Sequence, residues 1–127
     1  MAETVKPKNR VGKELEERTL DFAVRVVEFC TAIPRSDAGI VMARQLLRSG
    51  TSIGANYREA NRAESADDFI HKVAVALKEA AETEYWLHLC RRTGLCTAES
   101  VESLSKETDE LIAILTTIHR RARASRH

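Results

Sequence analysis

One pattern constrains this chain more than any other. Near the C-terminus Val101, Leu104, Thr108, Leu111, Leu115, Ile118 and Ala122 recur at alternating intervals of three and four. Such residues line one stripe of an α-helix, the seam by which helices pack along their length. The same rhythm appears near the other end, where Leu15, Thr19, Phe22, Val26, Phe29 and Ile33 precede Pro34. Proline removes a helix donor and clashes with the preceding turn, so the first helix ends there.

Between these seams lie two more. Ser36 and Asp37 offer an N-cap for a second helix whose buried face is Met42, Ala43, Leu46, Gly50, Ile53, Tyr57 and Ala60. Gly50 and Gly54 each cost about 1 kcal/mol in a helix relative to alanine, so their presence predicts that another backbone packs unusually close. Ser65 with Asp68 three residues on forms a capping-box pattern ahead of Phe69, Val73, Ala76, Ala80, Leu87 and Cys90. Gly94, preceded by Arg91 and Arg92, suits the C-terminal end of that third helix, and Thr97 caps the fourth.

The expected fold is therefore all-α, an antiparallel up-down-up-down four-helix bundle with helices at about 13–33, 37–63, 66–93 and 98–123. Long helices joined by connections of a few residues must run antiparallel to their neighbours. The bundle domain spans 13–124, between a disordered N-terminal arm over 1–12 and a disordered tail over 125–127. Five Gly, two Pro and 5% aromatic residues in 127 disfavour a turn-rich sheet protein, and 43% hydrophobic content suffices for a core without staples.

The three cysteines, Cys30, Cys90 and Cys96, read as reduced thiols of a cytoplasmic protein. The N-terminal segment has no apolar run to act as a signal, and no stretch approaches the roughly 18 apolar residues of a membrane span. No membrane association is expected.

No catalytic residues, metal or cofactor are expected. A di-iron bundle needs two Glu-x-x-His motifs, and this chain offers only Asp68-x-x-His71. His88, Cys90 and Cys96 lack the paired spacing of a zinc site. The remaining histidines, His119 and His127, have no nucleophile or orienting carboxylate in a recognisable motif. Gly50-Thr-Ser-Ile-Gly54 lacks the lysine and the strand-to-helix context of a phosphate loop.

Charge is more informative by position than in total. The net charge is only +1, yet residues 34–63 carry five arginines against Asp37 and Glu59. On a helical wheel Arg44, Arg48, Arg58 and Arg62 fall within about 40° of one line opposite the buried face, a stripe roughly 27 Å long. Two readings stand: a solvated face neutralised by Glu59 and neighbouring helices, or phosphate contacts to RNA or DNA. Arg120, Arg121, Arg123 and Arg126 near the C-terminus could extend the second. Asn56, Lys78, Glu79 and Glu82 are expected to make inter-helix bonds.

Apolar residues off the seams add a further expectation. Val75 and Trp86 on the third helix, and Leu20 and Val24 on the first, are placed away from the main stripes. Either a wide helix packs on two neighbours, or these residues bury against another subunit, for which tryptophan is a favoured anchor.

Gln45-Leu-Leu-Arg-Ser-Gly50, Ser52-Ile-Gly-Ala-Asn56, Glu59-Ala60, Asp68-Phe-Ile70, Leu77-Lys-Glu-Ala80, Glu82 and Tyr85-Trp-Leu87 form a specific combination. Over Gln45 to Leu89 the chain resembles a bacterial four-helix-bundle family that includes proteins encoded in intervening sequences of 23S ribosomal RNA genes. The resemblance implies a subunit of a homopentameric ring without enzymatic activity. One relative, the accessory protein of diversity-generating retroelements, binds nucleic acid and a reverse transcriptase through a basic surface. The resemblance thus implies a homo-oligomer as first partner, RNA or DNA as second, and a reverse transcriptase or other protein as third. The functional expectation is a non-enzymatic oligomeric accessory protein, with a structural or protein-interaction scaffold as the alternative.

Overall fold

The computed structural model describes residues 7–126, and for residues 7–11 the backbone alone. Four helices follow one another: α1 (Pro7–Thr31), α2 (Asp37–Ala60), α3 (Ala66–Thr93) and α4 (Ala98–Ala124). Each packs on its sequence neighbour and α1 returns to α4, so the helices form a closed square without diagonal pairing among the described residues. Pairings such as Arg18 with Glu107 and Arg25 with Ser103 run in opposite numerical directions, as antiparallel α1 and α4 require. The all-α four-helix bundle is thus the observed architecture.

The caps follow from residue type. The Ser36 and Ser65 hydroxyls each accept from a backbone amide three residues on, Gly39 and Asp68, both at 3.0 Å. Thr97 does the same for the Ser100 amide at 3.3 Å. Each such cap satisfies an otherwise orphaned amide and contributes about 1 kcal/mol. At the end of α3 Gly94 adopts φ 74°, in the left-handed region that favours glycine. The Leu95 amide then reaches back to the Cys90 carbonyl at 3.2 Å and the Gly94 amide to Arg91 at 3.2 Å, closing a Schellman motif.

Helix boundaries depart from expectation at both ends of the chain. Helix α1 begins at Pro7 rather than near residue 13, so it takes in residues 7–12 of the expected arm. Proline at a first helical position loses no bond, because that amide has no intrahelical acceptor. The rest of the expected arm, 1–6, lies outside the described residues. At the other terminus Ser125 is the C-cap of α4 and Arg126 pairs with Asp67, so 125–126 are placed on the bundle rather than disordered. His127 lies outside the described residues. Helix α2 stops at Ala60 instead of 63, because the Arg62 and Ala63 amides bond three residues back, to Glu59 and Ala60, and tighten the chain into a turn.

The core follows the expected seams, with Phe29, Ala43, Phe69 and Ile118 only partly buried, and adds Gly39, Ser49 and Thr83. Phe22, Val26, Leu46, Ile53, Val73, Leu87, Leu111 and Leu115 are at most 1% exposed. Burying each contributes about 1.5–3 kcal/mol. Four polar side chains share this interior: Thr19, Ser49, Thr83 and Thr108. Thr83 Oγ1 lies 3.0 Å from Ser49 Oγ on α2 and 2.8 Å from its own helix's Glu79 carbonyl. Thr19 and Thr108 bond back to the Leu15 and Leu104 carbonyls at 2.9 and 2.7 Å. Each threonine hydroxyl is thereby satisfied, which removes the main penalty of burying it.

Close packing explains the helical glycines. A Cβ on Gly50 would lie 2.8 Å from Val26 Cγ1, and one on Gly54 would lie 2.8 Å from Thr19 Oγ1. The α1–α2 contact is therefore built on backbone surface at one side and β-branched residues at the other.

Candidate interaction surfaces

The arginine stripe of α2 sits between two neighbouring helices, and those helices supply carboxylates. Arg48 leans toward α3, where Nη2 meets Glu82 Oε2 at 2.5 Å and Nη1 meets Glu79 Oε1 at 3.3 Å. Hydrogen bonding from Arg48 holds the Glu82 carboxyl below the usual range and raises the guanidinium in return. Arg58 and Arg62 lean the other way, toward α1, and share Glu16 at 3.5 Å each. Glu59, the acid nearest in sequence, is taken instead by Lys72 of α3 at 2.7 Å.

So the four arginines are collinear on the wheel but do not act as one strip of free charge. Among the described residues Arg44 alone of the four has no ion-pair partner, while the others are bonded to their neighbours. Pairs of this kind, with the guanidinium about half exposed or more, contribute at most about 1 kcal/mol to stability. The inter-helix bonds expected of Glu79 and Glu82 are present, and Asn56 bonds back to the Ser52 carbonyl at 2.9 Å. Lys78 is exposed.

The C-terminal arginines have a different setting. Arg120, Arg121 and Arg123 project from the last turns of α4, exposed, with no carboxylate paired to them among the described residues. They lie at the same end of the bundle as Arg58 and Arg62, because α2 and α4 both run toward it.

Apolar exposure is concentrated on α1 and α2. Leu20, Val24 and Val27 are 47%, 49% and 45% exposed, and their spacings of four and three place them on one outward row of α1. On α2 Ile40, Val41 and Leu47 are 37%, 53% and 41% exposed. Leu20 and Val24 thus stand where the sequence placed them, away from the core.

Trp86 and Val75 are less exposed. Both are half-buried, and Trp86 packs against the core with its Nε1 donating to Glu82 Oε2 at 3.4 Å. Trp86 is only one residue from buried Leu87, about 100° round the helix, which puts it on the flank of the core stripe rather than at its back. The exposed aromatic is Tyr85, at 59%, whose ring meets that of Trp86 edge-on at 5.0 Å.

Two arginines of α1 tie it to α4. Arg18 Nε meets Glu107 Oε2 at 2.7 Å and its Nη2 meets Glu110 Oε1 at 2.6 Å. Arg25 donates to Ser103 Oγ at 2.6 Å. On the α3–α4 side Glu84 and Asp109 share a hydrogen bond, which raises the Glu84 carboxyl above its ordinary range. No helix among the described residues is long and apolar enough to cross a membrane.

Comparison with known proteins places these surfaces in a family. The model of the 23S rRNA-intervening sequence protein family matches residues 14–117. A crystal structure from Bacteroides thetaiotaomicron, of a protein of unknown function in the S23 ribosomal protein family, is 47% identical with a TM-score of 0.78. That match covers 82% of this chain and 96% of the Bacteroides chain. Among curated proteins there is no match. A four-helix bundle with its core seams inside a match that spans most of the chain belongs to the 23S rRNA-intervening sequence protein family.

Proposed function

We propose that this protein is a non-enzymatic subunit of a homo-oligomer, which works as an accessory or scaffold protein. The observation that carries this reading is the outward row Leu20, Val24 and Val27 on α1, with Ile40 and Leu47 also exposed on α2. Single exposed apolar residues are ordinary, but a row of large ones along one helix face is the signature of a surface that another chain covers. Val41 on α2 and Tyr85 on α3 are further exposed apolar residues, away from α1. Two unlike patches suit a head-to-tail contact that closes a ring, the pentamer implied by the family resemblance, better than a two-fold dimer, which needs one self-complementary patch.

Replacing Leu20 and Val24 together by Glu tests this reading. Both side chains are about half exposed, so the monomer fold is expected to survive. The variant should sediment as a folded single chain where the parent sediments as an oligomer. A variant that keeps the parent's mass would exclude this row from the interface.

A second reading, contact with RNA or DNA in the cytoplasm, is favoured by the exposed arginines of the α4 terminus. Arg120, Arg121 and Arg123 form a local cluster that a ring would repeat in every subunit; Arg58 and Arg62, at the same end, can join it by exchanging carboxylate for phosphate, while Arg48, by the same exchange, and Arg44, without a carboxylate to give up, would extend it along α2. Changing Arg120, Arg121 and Arg123 to Gln should weaken binding to single-stranded RNA at low salt and flatten its salt dependence. Unchanged binding would remove these residues from the contact, and no binding by the parent would leave the scaffold reading. A reverse transcriptase or another protein is a third partner open to the same surface.

A further inference from the structure

The first two helices carry opposite charge. From Glu14 to Thr31 the chain holds five acids against two arginines, a net −3, whereas residues 34–63 hold five arginines against two acids, a net +3. The bundle uses this difference only in part. Glu16 takes Arg58 and Arg62, and Arg18 is spent on Glu107 and Glu110 of α4. Glu17, Asp21 and Glu28 are left exposed on α1, and Arg44 on α2, each with no ion-pair partner among the described residues.

The unpaired acids border the apolar row of α1. Asp21 and Glu28 each follow by three residues an arginine aimed at α4, Arg18 and Arg25, which puts them on the α4 side of Leu20, Val24 and Val27. Glu17 precedes Leu20 by three and Val24 by seven, at the edge of the same row. One outward face of α1 is therefore apolar with an acidic border.

The second face has the opposite character. Val41 and Arg44, three apart, and Arg48, four further on, share an outward row of α2 on the side of α3, since Arg48 reaches Glu79 and Glu82 there. Val41 is 53% exposed. Trp86 adjoins this row through Glu82, whose Oε2 accepts from its Nε1 as well as from Arg48. An exposed valine and a half-buried tryptophan thus stand beside an arginine with unused charge.

We propose that, in the homo-oligomer on whose existence this rests, the α1 row of one copy seats on the α2–α3 face of the next, with Arg44 of one copy opposite the acidic border of the other. Leu20, Val24 and Val27 bury against Val41 and Trp86, and the Arg44 charge fixes which face is met. The occupant is a second copy because the chain itself carries the matching surface, acid and apolar against base and apolar. An antiparallel two-fold pairing of α1 rows would instead set each acidic border against its own equivalent. Because the two faces differ, every copy keeps one of each to offer, and the contact repeats until rotation closes it.

Charge reversal in the full-length protein, read as mass by light scattering over a dilution series, is the test. Arg44→Glu, at an exposed position, should stay folded by circular dichroism and raise the concentration at which the assembly half-dissociates by about tenfold or more, because it sets like charges face to face. Val41→Glu should do the same. In the Arg44→Glu background, at least one of Glu17→Lys, Asp21→Lys and Glu28→Lys should restore the parent's assembly. Failure of all three, or an Arg44→Glu protein that keeps the parent's mass on dilution and loses only RNA binding, would overturn the pairing. If Leu20 and Val24 replaced by Glu abolish assembly while Arg44→Glu does not, the α1 interface stands and this partner face falls; a parent that is a single chain throughout removes both.

Discussion

Gly50 of α2 faces Val26 of α1 so closely that a Cβ added at residue 50 would lie 2.8 Å from one Val26 methyl and 2.9 Å from the other. This contact predicts the sign of a substitution that helix propensity alone gets wrong. Alanine at 50 gains about 1 kcal/mol of propensity. Val26 is fully buried and, being β-branched, has little rotamer freedom with which to yield. Overpacking a dense core costs about 1–3 kcal/mol. Gly50→Ala is therefore expected to destabilise by about 1 kcal/mol net, and the Val26→Ala background should convert that loss into a gain, as urea titration of the four proteins would show.

Thr83 and Ser49 give a second test, because their hydroxyls meet inside the interior at 3.0 Å. Thr83→Val keeps the shape and strands Ser49 without its partner, so stability should fall by about 1–2 kcal/mol. Adding Ser49→Ala should recover part of the loss in the same denaturation experiment. Equal losses in single and double variants would contradict the pairing.

The carboxyl pair Glu84 and Asp109 sets a pH dependence. The hydrogen bond from one carboxyl to the other favours a proton on Glu84, raising its folded value above the unfolded one. A raised carboxyl contributes stability that is fully present below the unfolded value and is lost as pH rises through the folded value. Glu84→Gln carries a permanent donor, so its melting temperature should exceed the parent's at neutral pH, with the difference shrinking in acid. Glu82 and Glu107, held low by hydrogen bonds from Arg48 and Arg18, act in the opposite sense and lose their contribution as pH falls.

Glu16 governs how much of the arginine stripe is available. It holds both Arg58 and Arg62, and its side chain is only 14% exposed. Glu16→Gln keeps an acceptor for Asn61, which bonds this carboxylate at 2.8 Å, while removing the charge. RNA affinity of the variant, measured by fluorescence titration at several salt concentrations, should rise, and the slope of log K against log salt should steepen by about one to two phosphates' worth. An unchanged slope would show that the stripe makes no phosphate contacts.

Much of the fold is legible in the sequence because it is written as residue periodicity and cap chemistry. Leu15, Phe22 and Val26 on α1, and Leu104, Leu111 and Leu115 on α4, are spaced by the helix itself, and Ser36, Ser65, Thr97 and Gly94 each punctuate a helix by a local rule. Ser49 and Thr83 are missing from the expected seams although their spacing fits: Ser49 lies three after Leu46 and four before Ile53, and Thr83 three after Ala80 and four before Leu87, as Thr19 and Thr108 lie in theirs. Trp86 sits half-buried on the flank of the α3 stripe, one of the two settings its spacing left open.

The surfaces were less legible for a physical reason. Arg48, Arg58 and Arg62 share a line on the wheel, but which carboxylates neutralise them depends on the register of α1 and α3 beside α2. The nearest acid in sequence, Glu59, turned out to serve Lys72. The outward row on α1 could be read from spacing, because Leu20 and Val24 lie opposite a well-defined seam.

Assembly through that row is the central claim, and the mass of the protein in solution tests it most directly. Light scattering at tens of micromolar should report a multiple of the 14.2 kDa chain, and a five-subunit ring would weigh roughly 71 kDa, with cyclic closure keeping the value constant on dilution. A single species at 14.2 kDa across that range would contradict the account, leaving Leu20, Val24 and Val27 as exposed residues that no second copy covers.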